Sequence, residues 1–347
     1  MYPTSPLGVK NTLLPEAILK KMKISVQTNK NVIFFETLIS FINNDKDLHP
    51  LGMEVIEDFK DIKKIKAFEE FQRNVREKKI PSHPWQYIFL SVNLNEDLTP
   101  KPLSPRDGFG PNRERSYLDN IYSIVNKIHI EGNFEKRYIE KILPEYEIVA
   151  QEIQNLFSKE NPGDILEEFW GKELKTNLVF IPDPLRVGGG SGVSRGDEFY
   201  SITGTVKTEN GIEFKSSHMI SNLLHEYSHS FFKTYLYKSE DLFKKNEEIC
   251  NTLFERIKED KESDVFKNYG KSTIYFEETF IRAVQILLSK RFFEKAMNKD
   301  MQSKALKQLR KRKEEGFVYI EKFYKELETN QKPMDSYIKV LENIVNN

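Results

Sequence analysis

The sequence contains almost no cysteine and no excess of charge of either sign. One cysteine, Cys250, stands among 347 residues, so the chain cannot form an internal disulfide, and a zinc site built from several thiolates is excluded. Any metal ion must therefore be bound by His and carboxylate side chains. Because 53 Lys and Arg residues balance 53 Asp and Glu residues, composition gives no reason to expect a nucleic acid as a partner.

Long apolar runs are also missing. No stretch approaches the roughly 18 consecutive apolar residues of a transmembrane helix, and the first residues do not show the basic and then apolar pattern of a signal peptide. We therefore expect no membrane partner and a cytoplasmic location. The length and the 38% content of hydrophobic residues suffice for a sizeable core and about two domains, but they do not indicate an oligomeric state.

Apolar residues recur at helical spacing through most of the chain. Two segments differ: residues 177–182 and 199–215 are rich in β-branched and aromatic residues and are bounded by turn residues, which predicts a strand followed by a hairpin. We therefore expect a mainly helical α+β fold with a small central β-sheet. The helices are predicted over residues 31–43, 53–76, 116–129, 134–158, 216–232, 239–257, 273–297, 303–327 and 334–345.

A polar stretch at residues 97–114 interrupts this pattern. It contains four prolines and two glycines, which is typical of a long loop or of a seam between subdomains. We place a soft boundary there, between a helical N-terminal region, residues 1–110, and a second region, residues 111–347. The two regions could also form one continuous domain.

The strongest chemical signal is the segment HEYSH, which contains His225, Glu226 and His229. The apolar residues around it are spaced as in a helix, and residues four apart lie on one helix face, so both imidazoles can reach one zinc ion at about 2.0–2.1 Å. Glu226 is rotated by about 100° from His225 and can act as a general base beside the ion. Two hydrogen-bonded histidines in a structural helix are the alternative, but chance would produce this motif in only about one such chain in a hundred.

A catalytic zinc site needs a third protein ligand. The extended pattern HExxHxxGxxH is absent, because Phe232 and Tyr235 occupy the positions of its glycine and third histidine. A downstream carboxylate is therefore expected, and Glu277 and Glu278 are the candidates. Glu278 is favoured because it shares a polar helix face with Arg282, whereas Glu277 is centred on the apolar face. Glu277 stays open as the alternative.

HEYSHSF, taken together with the later pattern E-x-x-x-R-A from Glu278 to Ala283, resembles an uncharacterised bacterial domain-of-unknown-function family of zincin-like proteins. These proteins are described as zinc metallopeptidases of the gluzincin type, with the pattern HExxH…E. The resemblance covers residues 177–291. It implies that residues 111–347 form a zincin-like region with one Zn²⁺ per chain, held by His225, His229 and Glu278, and that Glu226 is catalytic. It implies no particular substrate.

These observations predict a zinc-dependent hydrolase, and a metallopeptidase acting on a peptide or protein in particular. Two alternatives stay open: a catalytically silent scaffold protein with a zincin fold, and a zinc amidohydrolase that acts on a non-peptide substrate. The presence of Glu226 favours an enzyme, because a scaffold has no use for a general base.

The sequence also suggests how the rest of a catalytic cleft would be built. Arg282, Tyr200 and Tyr275 are alternative donors to a developing oxyanion. The strand predicted at residues 199–206 is the expected edge for an extended substrate. We expect the glycine-rich residues 188–192 to form a mobile loop over the cleft, and His218 to be a helix-capping or exposed residue.

Overall fold

The computed structural model describes most of residues 24–346. The gaps fall at residues 78, 80–86, 88, 89, 96, 100, 102–112, 160, 171–176, 196, 197, 237–239, 258–264, 266–268, 298, 299 and 331. Most of the proline-rich stretch at residues 97–114, and with it the predicted boundary between residues 110 and 111, lies outside the described residues.

The fold is α+β and mainly helical, with one small sheet, as predicted. The strands are β1 Ile24–Val26, β2 Asn177–Val187, β3 Gly190–Arg195, β4 Glu198–Thr208 and β5 Gly211–Glu213. Their order is β1-β2-β4-β3, with β5 paired to β4. The strands β1, β2 and β4 are parallel, whereas β3 and β5 run antiparallel to β4.

Helices precede and follow the sheet along the chain. Before β2 come α1 Lys30–Asn43, α2 Pro50–Asp58, α3 Lys66–Arg76, α4 Arg113–Glu131, α5 Phe134–Arg137, α6 Leu143–Lys159 and α7 Pro162–Trp170. After β5 come α8 Ser216–Leu236, α9 Glu240–Arg256, α10 Ser272–Met297, α11 Gln302–Glu314, α12 Ile320–Thr329 and α13 Pro333–Val345. None of the helices in the described part of the chain combines the length and apolarity that a bilayer crossing requires.

The sheet lies between two helical layers. Alternate residues of a strand face opposite sides, so one strand contributes side chains to both layers. Leu178 and Phe180 of β2 belong to the core that contains α8 and α10. Val179 and Ile181 pack on the other side with Val32 of α1. Since both faces are covered, the strand is a continuous apolar run rather than an alternating one.

Three predicted helices are interrupted in the structure. The predicted helix over residues 53–76 is divided by a 3₁₀ turn, Lys60–Lys64, which brings Ile62 onto the same buried side as Phe59. The helix predicted over 303–327 is divided at Gly316, whose φ of 115° suits glycine. The segment 134–158 contains a π-turn, Tyr138–Ile142, just before Pro144, which lacks the N–H that a regular helix needs.

Candidate metal centre

The motif residues lie on α8, which is buried along one side. Ile220, Leu223, Leu224 and Tyr227 are fully buried in the core beneath the sheet. This apolar face fixes the rotation of the helix, and α8 packs directly against α10. His225 and His229 therefore project from α8 towards the helix that carries Glu277 and Glu278.

The structure brings three of the predicted ligands together. Ligand atoms of His225, His229 and Glu278 all lie within 4.8 Å of one another. The Nε2 atoms of the two histidines are 3.2 Å apart. Glu278 Oε1 lies 3.4 Å from His225 Nε2, and Glu278 Oε2 lies 3.2 Å from His229 Nε2. Thus all three side chains converge on one point.

The neighbouring Glu277 binds the opposite side of His229. Its Oε1 atom lies 2.7 Å from His229 Nδ1, and Lys233 Nζ is 3.8 Å from the same oxygen. A carboxylate that accepts the Nδ1–H of a histidine fixes the ring so that Nε2 is free to bind a metal. The two adjacent glutamates therefore have different positions: Glu278 is in the cluster and Glu277 is behind it.

Two further side chains hold Glu278. Arg282, one helical turn later, places its Nη2 atom 2.6 Å from Glu278 Oε1. The Tyr269 hydroxyl donates to the same carboxylate oxygen at 3.2 Å and accepts from Arg282 at 3.3 Å. Because Oε1 carries both contacts, Oε2 is the less constrained oxygen, and it faces His229.

Burial and charge shift the pKa values in the cluster in different directions. Burial alone would lower the pKa of His229, but its hydrogen bonds to Glu277 and Glu278 outweigh this and raise it to about 9. Burial holds the pKa of His225 well below its ordinary value. The pKa of Glu278 also lies well below its ordinary value, because His225 and Arg282 overcome the effect of burial. Metal-free protein therefore keeps a proton on His229 at neutral pH.

This donor set fits a zinc ion. Two imidazole nitrogens and one carboxylate oxygen are a ligand set of catalytic zinc sites, in which a fourth position stays open. Within the described residues the buried Nδ1 atom of His225 has no hydrogen-bond partner, so the contacts of this ring are those of its Nε2 atom with His229 and Glu278. The facing Nε2 atoms and the Glu278 carboxylate are the atoms that could hold a cation together.

Glu226 lies beside the cluster, at the edge strand β3. Burial raises the pKa of Glu226, whereas the nearby His229 and a hydrogen bond from the Gly192 backbone lower it. A Cβ atom added at Gly192 would lie 2.8 Å from Glu226 Oε2. The approach of β3 to Glu226 therefore depends on a residue without a side chain.

Two expectations about this strand region were wrong. Of residues 188–192, which were expected to form a mobile loop, residues 190–192 belong to β3, because residues 190–195 pair with β4; Gly188 and Gly189 form the turn before it. The strand β4 is not an edge, since it lies between β2 and β3. Among the described strands, the edge next to α8 that has no neighbouring strand belongs to β3 instead.

The ladder shows which backbone groups of β3 are free for new hydrogen bonds. The Gly192 N–H bonds Glu226 and so points away from β4, and hydrogen-bonded pairs alternate along an antiparallel ladder. Residues 191, 193 and 195 therefore bond to β4. The N–H and C=O groups of Gly190, Gly192 and Ser194 point away from β4, towards the free edge.

The profile of a family described as a domain of unknown function, DUF4932, matches residues 112–345. The chain belongs to this family. No curated protein and no solved structure matches it. The matched region contains the whole cluster and Glu226, whereas β1 and the helices α1 to α3 precede it.

The other candidate residues have different surroundings. Tyr200 donates to Glu198, and Tyr275 donates to the Gly316 carbonyl in the core, so of the three predicted oxyanion donors Arg282 is the one at the cluster. His218 contacts Asn222, which donates to Gly189 O and secures the turn before β3.

Sequence reasoning missed Tyr269 and Gly192. Tyr269 follows a segment with no clear periodicity, and Gly192 was assigned to a loop. Their roles depend on contacts with distant residues, which no local pattern reveals.

Proposed function

We propose that this protein is a zinc-dependent hydrolase and that its substrates are peptides or proteins. The observation that carries the proposal is the convergence of His225, His229 and Glu278 within 4.8 Å, next to a glutamate that is not part of the cluster. His225, His229 and Glu278 would hold one zinc ion. The role that remains for Glu226 is proton transfer.

When bound, zinc supplies Lewis acidity that polarises a carbonyl group and makes a nearby water molecule more acidic. Glu226 accepts a proton from the attacking water and returns it to the leaving amine. Its raised pKa suits this exchange, because a base with a pKa closer to neutrality also donates the proton more readily. The Gly192 backbone keeps the carboxylate in place between these steps.

Arg282 and Tyr269 are the hydrogen-bond donors assigned to the developing oxyanion. Tyr269 is the stronger candidate, because Arg282 is already paired with Glu278 at 2.6 Å. The Tyr269 side chain is partly exposed, so its hydroxyl can donate to a substrate oxygen in place of Glu278. Donors aimed at such an oxygen contribute strongly to catalysis in a site from which water is excluded.

A peptide substrate is favoured by the free edge of β3. The outward backbone groups of Gly190 and Ser194, together with the Gly192 carbonyl, can pair with an extended chain, whereas the Gly192 N–H bonds Glu226. Such pairing would place the chain across α8, beside Glu226. This edge replaces the one expected on β4.

The test is hydrolysis of casein and of a broad peptide panel by zinc-loaded wild type and by Glu226→Gln. Gln has nearly the same shape as Glu but cannot act as a base, so we expect activity to fall about 10²–10⁴-fold while zinc content and fold are kept. Activity on non-peptide amides alone would indicate an amidohydrolase instead. Wild type that binds zinc but hydrolyses nothing in either panel would indicate a scaffold.

A further inference from the structure

A buried group of charged and polar residues lies behind β3, on the side of the N-terminal helices. Arg186, near the end of β2, places its Nη2 atom 2.6 Å from Glu36 Oε1 of α1 and donates from Nη1 to Ser191 Oγ of β3 at 2.9 Å. Its Nε atom is 3.5 Å from Asp183 Oδ2. We refer to Glu36, Asp183, Arg186 and Ser191 as the Arg186 cluster.

The Arg186 cluster has little contact with water. Glu36 is 5% exposed, Asp183 is 0% exposed and Ser191 is 9% exposed, and the Arg186 side chain is 14% exposed. Removing such charges from water costs about as much as their attraction returns, so a buried ion pair is a poor source of net stability. What it does provide is fixed geometry, because a guanidinium group bonds its partners in one plane.

The Arg186 cluster is only one residue away from the catalytic region. Ser191, which accepts from Arg186, directly precedes Gly192, whose backbone contacts Glu226. Arg186 is also close enough to Glu226 for their charges to interact. The position of β3 relative to Glu226 is therefore linked through Ser191 and Arg186 to α1.

Strand β3 needs such support. It is six residues long, pairs with β4 alone among the strands that the structure describes, and contains Gly190 and Gly192. It follows Gly188 and Gly189, which both have positive φ angles. Glycines lose the most conformational freedom on ordering, so a short glycine-rich edge strand opens easily unless side chains hold it.

We propose that Glu36 and Arg186 are positioning residues that hold β3 against Glu226 through Ser191. The proposal rests on the proposed hydrolase function for its catalytic consequence. It makes α1, which precedes the family-matched residues 112–345, part of the machinery that orders the cleft. Neither residue touches the substrate in this account.

The decisive variant is Ser191→Ala, which removes one hydroxyl and leaves the buried ion pair intact. Its matched control is Ser201→Ala on β4, since Ser201 lies opposite Gly192 and its buried hydroxyl has no hydrogen-bond partner among the described residues. Arg186→Lys is the second variant, because Lys keeps the charge but cannot bond Glu36 and Ser191 in the same plane.

Two measurements are made on the full-length, zinc-loaded chain: amide hydrogen exchange of Val193 and Arg195, whose N–H groups bond to β4, and kcat and KM on the best peptide substrate. The loss of a hydrogen bond to a charged group should raise the population of the state in which β3 is separated from β4 by about tenfold or more. We expect Ser191→Ala and Arg186→Lys to speed exchange by this factor and to lower kcat, with zinc content unchanged. Ser201→Ala should match wild type in both measurements.

Other outcomes overturn the proposal. Unchanged exchange in Ser191→Ala would show that Arg186 does not hold β3. Wild-type behaviour of Arg186→Lys would show that charge alone suffices. Faster exchange with unchanged kcat would remove the link to Glu226. If wild type hydrolyses nothing, the proposed function fails, and the exchange rates alone then decide whether the Arg186 cluster holds β3.

Discussion

Replacing each of the adjacent glutamates separately tests the assignment of the third zinc ligand. Glu278→Ala removes an oxygen that lies 3.2 Å from His229 Nε2, whereas Glu277→Ala removes only the acceptor behind the same ring. Loss of a residue that orients a metal-bound histidine typically weakens metal binding about 10–100-fold. We expect a loss of this size for Glu277→Ala.

The loss for Glu278→Ala should be larger for two reasons. The site keeps two of its three protein ligands, and Arg282 loses the buried carboxylate that it contacts at 2.6 Å. Breaking a buried pair costs about 3–5 kcal/mol of folding stability, and this applies to the metal-free and the metal-bound variant alike, so it lowers the thermal midpoint rather than the zinc affinity. The zinc affinity falls because one ligand is missing and because the unpaired positive charge of Arg282 repels the ion.

The assay is competition for zinc between each variant and a chelator of known affinity. Lys233→Met is the control, because Lys233 is 3.8 Å from Glu277 and 55% exposed, and surface pairs of this kind contribute only about 0.2–1 kcal/mol. We expect its zinc affinity to stay close to that of wild type. If Glu277→Ala loses zinc and Glu278→Ala keeps it, the ligand assignment is wrong.

Two further predictions concern protons and the oxyanion. The pKa of His229 is raised to about 9 in metal-free protein, so below that pH zinc must displace a proton from His229. Calorimetry in two buffers should therefore show about one proton released per zinc at pH 7. The apparent zinc affinity should rise from pH 7 towards pH 9. No proton release would contradict this. Tyr269→Phe should keep zinc yet lower kcat by about 10²–10³-fold; an unchanged kcat would rule out the role given to Tyr269.

The motif and its partner helix could be predicted from the sequence because both depend on local periodicity. The spacing of His225 and His229 fixes their shared face, and the angle around α10 separates Glu278, which lies beside Arg282, from Glu277. The structure places these side chains accordingly. The role of Glu277 behind His229 was not predicted, since a second contact to the same ring depends on how α8 and α10 pack.

Strand order could not be predicted in the same way. The glycine-rich residues 188–192 have the composition of a loop, and only pairing with β4 makes residues 190–195 a strand. Strand β4 is interior because β2 pairs with it on the side opposite β3. Strand β2 in turn pairs with β1, which lies far upstream in the sequence. Such long-range pairings leave no local pattern, and the Arg186 cluster depends on them as well.

Zinc analysis of protein purified without added metal shows whether His225, His229 and Glu278 bind zinc. We predict about one zinc per chain in wild type, and loss of zinc together with a lower thermal midpoint in His225→Ala, because metal binding stabilises the folded state. Wild type that contains no zinc and whose thermal midpoint does not respond to added zinc would show that these residues do not form a zinc site.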